Sequence, residues 1–207
     1  MRFRLNEYYL RTFPFARGMM RDLERLNDLC APWKSEETAV DIDGVLCRDP
    51  TDEELDAQDE GPLWHSFISE AVPFLIPEQR VGAVVTNRLS RHRERTKKWL
   101  DAHGIMYSEL FMSPHPSREE RHKLLDYGPQ KARAILQADS PYSLFVESDH
   151  RIAPEIAYLS NKPVICVKNL NMYWRGKSQH VSFSREWEVI EKDNGERVIV
   201  GKKVADV

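Results

Sequence analysis

The chain has 207 residues and a formal net charge of −3, which suits one α/β domain with an appendage and leaves little room for two full domains. Because 41% of the residues are hydrophobic and 30% are charged, the composition is that of a folded globular protein. The charge balance gives no global basic excess of the kind that binds nucleic acid or an anionic membrane.

The cysteines give information about the compartment. Cys30, Cys47 and Cys166 are widely spaced, and they form neither a CxxC pair nor a zinc-binding pattern. We therefore expect reduced thiols in a cytoplasmic protein. Residues 1–7 carry charges where a signal peptide needs an apolar run. No stretch approaches the roughly 20 apolar residues of a membrane span, so no membrane partner is expected.

The predicted elements start with a helical extension and continue as an α/β domain. Residues 1–35 are the expected N-terminal helical extension, in which apolar residues recur at helical spacing over 19–29. Residues 36–175 are the expected central domain, with 47–80 as a short flap or cap segment. Continuous apolar strands separated by helices are typical of a parallel sheet covered on both faces. We therefore predict a Rossmann-like sheet of about five strands, near residues 38–40, 81–86, 105–112, 143–146 and 164–167.

The C-terminal residues 176–207 have a different pattern. Residues 186–191 and 197–200 alternate between apolar and polar side chains on either side of Asp193-Asn194-Gly195. Asn-Gly between two alternating segments is a strong signal for a β-hairpin. We therefore predict a hairpin appendage that either joins the edge of the sheet or lies over the functional site.

Polar side chains follow three of the predicted strands at their carboxyl ends, where ligands bind in parallel α/β sheets. Carboxylates gathered from separate strands repel one another unless a cation lies among them, and oxygen ligands select a hard ion such as Mg²⁺. A carboxylate can also attack phosphorus while a second carboxyl group transfers the proton. The alternative for the first pair is a simple turn cap, because Asp is common in turns. The residues are Asp41 and Asp43, then Thr86, Asn87 and Arg88, then Glu147 and Asp149.

The segment 38–46 resembles the first motif of the haloacid dehalogenase (HAD) superfamily of phosphatases, which is an apolar strand followed by Asp-x-Asp-Gly. Residues 84–87 resemble the second motif, a strand that ends in Thr or Ser. Lys131, sixteen residues before Glu147, suits the lysine of the third motif, and residues 144–149 resemble the acidic fourth motif. The resemblance covers roughly residues 37–170 and is that of a member with a minimal cap.

The resemblance implies catalytic roles for four side chains. Asp41 would be the nucleophile and a metal ligand, and Asp43 the general acid/base whose backbone carbonyl contacts the metal. The Thr86 hydroxyl would hold a phosphoryl oxygen, and Lys131 would neutralise the nucleophile and the phosphate. Lys123 is the alternative lysine, but Lys131 is preferred because it lies at the start of the predicted helix that precedes the Glu147 strand.

The resemblance also implies substrate and metal ligands. The Asn87 backbone N–H would hold the phosphoryl group. Arg88 is a candidate contact to a substrate anion by its position after Thr86 and Asn87 and not by the resemblance, and a surface ion pair is the alternative. Glu147 would bind Mg²⁺ directly or through water. The family commonly places Asp first in this motif, whereas here Glu147 comes first and Asp149 follows by two residues. Asp149 is therefore either a further metal ligand or the cap of the helix that follows.

Together these motifs predict a magnesium-dependent phosphatase that forms an aspartyl-phosphate on Asp41. A small phosphorylated metabolite is the favoured partner, and the oligomeric state stays open. A nucleic-acid end phosphatase is one alternative, because basic residues cluster between Arg88 and Arg95, although such a cluster is usually a solvated helix face. A noncatalytic HAD-fold binding module is the other, but it would have no need of the whole motif set.

Overall fold

Strands and helices alternate along the part of the chain that the computed structural model describes, which is residues 1–12, 16–57, 61–136, 141–175, 186–191 and 197–202. The strands are β1 Phe3–Leu5, β2 Thr38–Val40, β3 Leu75–Pro77, β4 Val81–Leu89, β5 Tyr107–Ser113, β6 Leu144–Glu147, β7 Val164–Cys166, β8 Asn171–Tyr173, β9 Glu186–Glu191 and β10 Arg197–Lys202. The helices are α1 Glu7–Thr12, α2 Ala16–Cys30, α3 Asp52–Asp56, α4 Pro62–Glu70, α5 Arg93–Ala102, α6 Arg118–Leu124, α7 Gly128–Ile135 and α8 Ala153–Ser160. Short 3-10 turns cover Ser35–Glu37 and Ser90–His92.

A six-stranded sheet forms the centre of the fold, in the order β5-β4-β2-β6-β7-β8. The first five strands of that order are parallel, and β8 pairs antiparallel with β7. Strand β2 lies in the interior, with Val40 opposite Val84 of β4 and Val146 of β6. The carboxyl ends of β2, β4 and β6 therefore meet at one edge of the sheet, where the sequence places its polar side chains.

Two apolar cores cover the two faces of the sheet, because successive strand residues point to opposite faces. Val40 and Val84 belong to one core together with apolar residues of α2, α4 and α5. Ala39, Val85 and Phe145 belong to the other core, which is completed by α7 and α8. Burial on both faces explains why these strands are continuous apolar segments rather than alternating ones.

The N-terminal residues are attached to the domain by a short strand before the helices. Strand β1 pairs antiparallel with β3, with Phe3 opposite Pro77. The Asn27 side chain ties α2 to this strand, because its Oδ1 accepts from Phe3 N at 2.7 Å and its Nδ2 donates to Phe3 O at 3.0 Å. The predicted amphipathic helix thus packs against the domain through α2 residues such as Leu23 and Leu26, which are buried.

The predicted α/β sheet with helices on both faces and a C-terminal strand pair is confirmed. The prediction of about five strands missed β8, which begins with Asn171 and is not buried, so no continuous apolar segment marks it. Strands β9 and β10 pair antiparallel with each other as a separate two-stranded sheet, and the predicted Asn-Gly turn lies outside the described residues. Within the described ranges, no helix has the length and apolar character needed to cross a bilayer.

Candidate active site

The loop after β2 is shaped by one glycine. Asp41 continues the strand direction, since its backbone N–H donates to Val146 O at 2.9 Å. Gly44 then adopts φ +79°, and a Cβ there would come within 2.5 Å of Asp49 Oδ1 and 2.4 Å of Ser148 Oγ. Only glycine fits this close approach. It brings the loop against the end of β6, where Ser148 Oγ donates to Asp43 O at 2.9 Å.

Asp41, Lys131 and Glu147 form a buried charged cluster that we call the acid–lysine cluster. Lys131 Nζ, on α7, donates to Asp41 Oδ2 at 2.7 Å and to Glu147 Oε2 at 2.6 Å. The three residues are 5%, 2% and 0% exposed, respectively. The remaining oxygens accept backbone N–H groups: Asp41 Oδ1 from Ile42, and Glu147 Oε1 from Ser148 and Asp149. The lysine is thus the shared counter-ion of two acids from neighbouring strands.

Burial and the neighbouring charges shift the proton affinities of this cluster. Burial raises the pKa of Asp41 well above its usual value, and Lys131 opposes this shift while Glu147 and Asp43 add to it. Burial alone would lower the pKa of Lys131, but the carboxylates of Asp41 and Glu147 outweigh it and raise that pKa. Lys131 therefore stays protonated at neutral pH, as a cation beside a carboxyl group with high proton affinity.

Asp43 is held by a buried arginine rather than by the lysine. Arg88 Nη2 donates to Asp43 Oδ1 at 2.6 Å, and Arg88 Nε lies 3.2 Å from both carboxylate oxygens. The guanidinium is surrounded by the rings of Trp64, Phe67 and Trp99, with its carbon 5.4–6.0 Å from their centroids. Arg88 is 1% exposed, so it lies under Asp43 as its positioning partner and not on the surface that meets a ligand.

A cavity of about 620 Å³ lies over the acid–lysine cluster. Six residues of the predicted site line it: Asp41, Asp43, Asn87, Lys131, Glu147 and Asp149. Thr86 and Arg88 do not line it; Thr86 is fully buried, and its Oγ1 accepts from Arg88 N at 3.2 Å. Asn87 Oδ1 is buried and has no hydrogen-bond partner among the described residues.

Several cavity residues were missed by the sequence analysis, because no motif marks them. They are Arg118, Arg121, His122, Tyr127, Ser148, Arg151 and Lys168, together with Asp49 and neighbouring loop residues. Most of the cationic side chains already have partners in the protein. Arg118 pairs with Asp56 at 2.8 Å, Arg151 with Asp149 at 2.7 Å, and Lys168 with Asp49 at 2.7 Å. The Arg121 guanidinium donates to Asn87 O.

The predicted basic cluster lies apart from this cavity. Arg93 donates to Leu110 O at 3.1 Å and Arg95 to Ser69 Oγ at 3.1 Å, and neither residue lines the cavity over Asp41. These arginines therefore belong to a helix face, which was the more ordinary of the two interpretations. They give no support to the nucleic-acid alternative.

Asp149 is held locally at the start of α8. Its Oδ1 accepts the backbone N–H of Arg151 at 2.8 Å, and its backbone carbonyl accepts from Ala153 N at 2.9 Å. Burial raises the pKa of this carboxyl, but the hydrogen bonds and charge of Arg151 outweigh burial and lower it overall. The side chain thus serves the turn before the helix, although it also lines the cavity.

The oxygen donors of the cavity suit a magnesium ion that is bound by two carboxylates and completes its shell with water and phosphate. Among the described residues there is no group of three or more His, Cys, Asp or Glu placed to hold a metal ion. Mg²⁺ at phosphoryl-transfer sites is usually bound through one or two carboxylates, with water and substrate phosphate completing the shell. Asp41 and Glu147 supply two carboxylates at the cavity floor, and the all-oxygen donor set suits a hard ion.

The fold and the cavity together define an α/β protein with a buried acid–lysine cluster at the carboxyl edge of its sheet. Comparisons with protein-family models and with curated proteins give no match. Among solved structures, a chain of the Pnkp1/Rnl/Hen1 RNA repair complex is 18% identical, with a TM-score of 0.40, over 62% of this chain and 41% of that chain. A chain of a further Pnkp1/Rnl/Hen1 complex is 17% identical, with a TM-score of 0.36, over 63% and 44%. The protein thus spans less than half of those chains, and a likeness at this level assigns neither activity nor substrate.

Proposed function

We propose that the protein is a phosphomonoester hydrolase in which Asp41 is the nucleophile. The observation that supports this proposal is the buried Asp41–Lys131–Glu147 cluster on the floor of a cavity of about 620 Å³. A carboxylate that attacks a phosphate brings like charges together, so the site needs fixed positive charge at the reacting atoms. Lys131 supplies that charge 2.7 Å from Asp41.

The proposed chemistry uses two carboxyl groups in turn. An Asp41 oxygen attacks phosphorus, and the ester oxygen leaves with a proton from Asp43, which gives an acyl phosphate and a free alcohol. Asp43 then takes a proton from water as the water oxygen attacks the same phosphorus, which releases phosphate and regenerates the Asp41 carboxylate. Arg88 fixes the orientation of Asp43 through contacts of 2.6–3.2 Å.

Magnesium belongs to this proposal as the cofactor. Asp41 and Glu147 would hold it, with the backbone carbonyl of Asp43 and the carboxylate of Asp149 as further oxygen donors at the same cavity. When bound, the ion supplies Lewis-acid stabilisation of the charge on the phosphoryl oxygens. Asn87, which lines the cavity, would contact the substrate from the β4 side.

The proposed substrate is a small phosphomonoester rather than the end of a nucleic acid. Binding of a nucleic acid requires cations that are free to neutralise successive phosphates. At this cavity Arg118, Arg151 and Lys168 are each paired with an acid. The two other Arg and Lys side chains of the lining, Arg121 and Lys131, are buried, and they bind Asn87 O and the two acids of the cluster, respectively.

Hydrolysis of p-nitrophenyl phosphate, measured with and without Mg²⁺, tests this proposal. We expect magnesium-dependent turnover that falls by at least about 10³-fold in Asp41→Asn, because the variant lacks the attacking carboxylate. Asp101→Asn is the matched control, since Asp101 is an exposed residue of α5, and it should retain full activity. Equal rates for the wild type and Asp41→Asn would reject the proposal. Release of phosphate from phosphorylated oligonucleotides, measured under the same conditions, tests the alternative of a nucleic-acid end phosphatase.

A further inference from the structure

A second cavity, of about 530 Å³, lies beside the first and has a different character. Helix α2 forms one wall, and the loops 44–49 and 167–170 form another. Its lining includes Tyr9, Met19, Leu23, Leu26, Phe74 and Leu170. The Tyr9 and Phe74 rings meet edge to face with centroids 5.1 Å apart. Cavities of this size and lining are typical of sites that bury the apolar part of a small molecule.

The two cavities meet at one ion pair. Asp49 and Lys168 line both cavities, and Asp49 Oδ2 lies 2.7 Å from Lys168 Nζ. The side chains of this pair are 45% and 48% exposed, respectively, so water screens their attraction and little free energy holds them closed. Gly44, three residues after Asp41, also lines the apolar cavity. A single small molecule can therefore contact both cavities.

The charged residues of the second cavity offer few binding groups to a polyol. Arg48 is bound by Glu54 through two contacts of 2.6 and 2.7 Å, and Asp49 and Lys168 lie where the two cavities meet rather than along the apolar wall. Asp22 is exposed to solvent at the margin. Burying sugar hydroxyl groups against the remaining apolar wall would cost free energy, because they would lose hydrogen bonds to water.

We propose that this apolar cavity binds the organic part of the substrate, so that the substrate is a phosphate monoester of an apolar alkyl or aryl alcohol. The inference rests on the proposed function, since it places the phosphate over Asp41 and the hydrocarbon between α2 and the loop 167–170. It excludes sugar phosphates as preferred substrates.

The test measures kcat/KM for a homologous series of alkyl phosphates, from methyl to octyl, with glycerol phosphate as the polar reference. The wild type should gain up to about fourfold in kcat/KM for each methylene that leaves water. Met19→Asp, which places a charge in the apolar wall, should flatten this dependence. Met20→Asp is the matched control, because Met20 is the next residue of the same helix, is 37% exposed and does not line the cavity.

The outcomes separate this inference from the proposed function. Turnover that depends on Asp41 but not on chain length, or equal slopes for Met19→Asp and the wild type, would overturn the apolar-substrate inference and leave the hydrolase proposal standing. If the wild type hydrolyses no ester, the hydrolase proposal falls, and calorimetric titration with alkylphosphonates decides the inference. Affinity that rises with chain length in the wild type but not in Met19→Asp supports the cavity as an apolar binding site, and a flat series overturns it.

Discussion

Replacing Lys131 by Met should destabilise the protein strongly, because it leaves two buried acids facing each other. Asp41 and Glu147 contact the same ammonium at 2.7 and 2.6 Å. The two contacting carboxylate oxygens are therefore at most about 5 Å apart. Two unit charges about 5 Å apart repel by about 3 kcal/mol at an effective dielectric constant of about 20. Removing one partner of a buried ion pair typically costs about 3–5 kcal/mol. We therefore expect a loss of this size in the free energy of unfolding at pH 8.

The loss should depend on pH in a defined direction. Without the lysine, Asp41 loses the charge that opposes the effect of burial, so its pKa in the folded state, which burial already raises, rises further. A proton on Asp41 removes the repulsion, so stability is recovered as pH falls. Lys131→Met should thus be closer to the wild type at pH 5 than at pH 8. Urea denaturation followed by tryptophan fluorescence at both pH values measures this difference.

Lys123→Met is the matched control for this substitution. Lys123 is an exposed lysine of α6 whose Nζ pairs with Glu119 at 2.7 Å on the surface, and its replacement should leave stability unchanged within error. Adding Glu147→Gln to Lys131→Met should restore part of the loss, since one of the two negative charges disappears. Equal stability for Lys131→Met and Lys123→Met at pH 8, or an effect of Lys131→Met that does not vary with pH, would refute the electrostatic reasoning.

Two further substitutions have expected effects on stability. Burial, with the charge of Asp126, raises the pKa of Glu155 from 4.5 to about 7, so its protonated form contributes stability that is present below pH 4.5 and lost as pH rises through about 7. Glu155→Gln should therefore raise the free energy of unfolding by about 3 kcal/mol at pH 8 and change little near pH 4.5 in urea titrations; an equal effect at both pH values would contradict the shift. Arg88→Met should lower that free energy by about 3 kcal/mol, because Asp43 loses the guanidinium that contacts it at 2.6 Å. A double-mutant cycle with Asp43→Asn measures the coupling, and additive losses would show that the pair contributes nothing.

The parallel sheet was predictable from the sequence, because its strands are buried on both faces. Residues such as Ala39, Val85 and Phe145 give continuous apolar segments between helices, and that pattern allows few other arrangements. Strands β1 and β8 each contain a polar residue, Arg4 and Asn171, and β3 ends at Pro77, so none of them gives a comparable signal. Their pairing depends on tertiary contacts, such as the clamp of Asn27 on Phe3 across 24 residues of sequence.

The candidate site was predictable where it follows strand ends and not where it depends on side-chain direction. The order of motifs predicted that Asp41, Lys131 and Glu147 meet, and the structure brings them together within 2.7 Å. The sequence left Arg88 either near a substrate anion or in a surface ion pair, whereas its side chain is buried against Asp43 and three aromatic rings. Sequence spacing within a strand does not tell which partner a long side chain finds.

The charge balance at the cavity floor gives a physical reason for a divalent cation in the proposed reaction. Asp43 is matched by Arg88 and Asp149 by Arg151, but Asp41 and Glu147 share one lysine. One negative charge is therefore uncompensated when both acids are ionised, and a phosphate dianion would add two more. A proton on Asp41 would remove the surplus charge but also the nucleophile. A divalent cation would compensate the surplus charge and leave Asp41 ionised, which would link phosphate affinity to magnesium in the proposed mechanism.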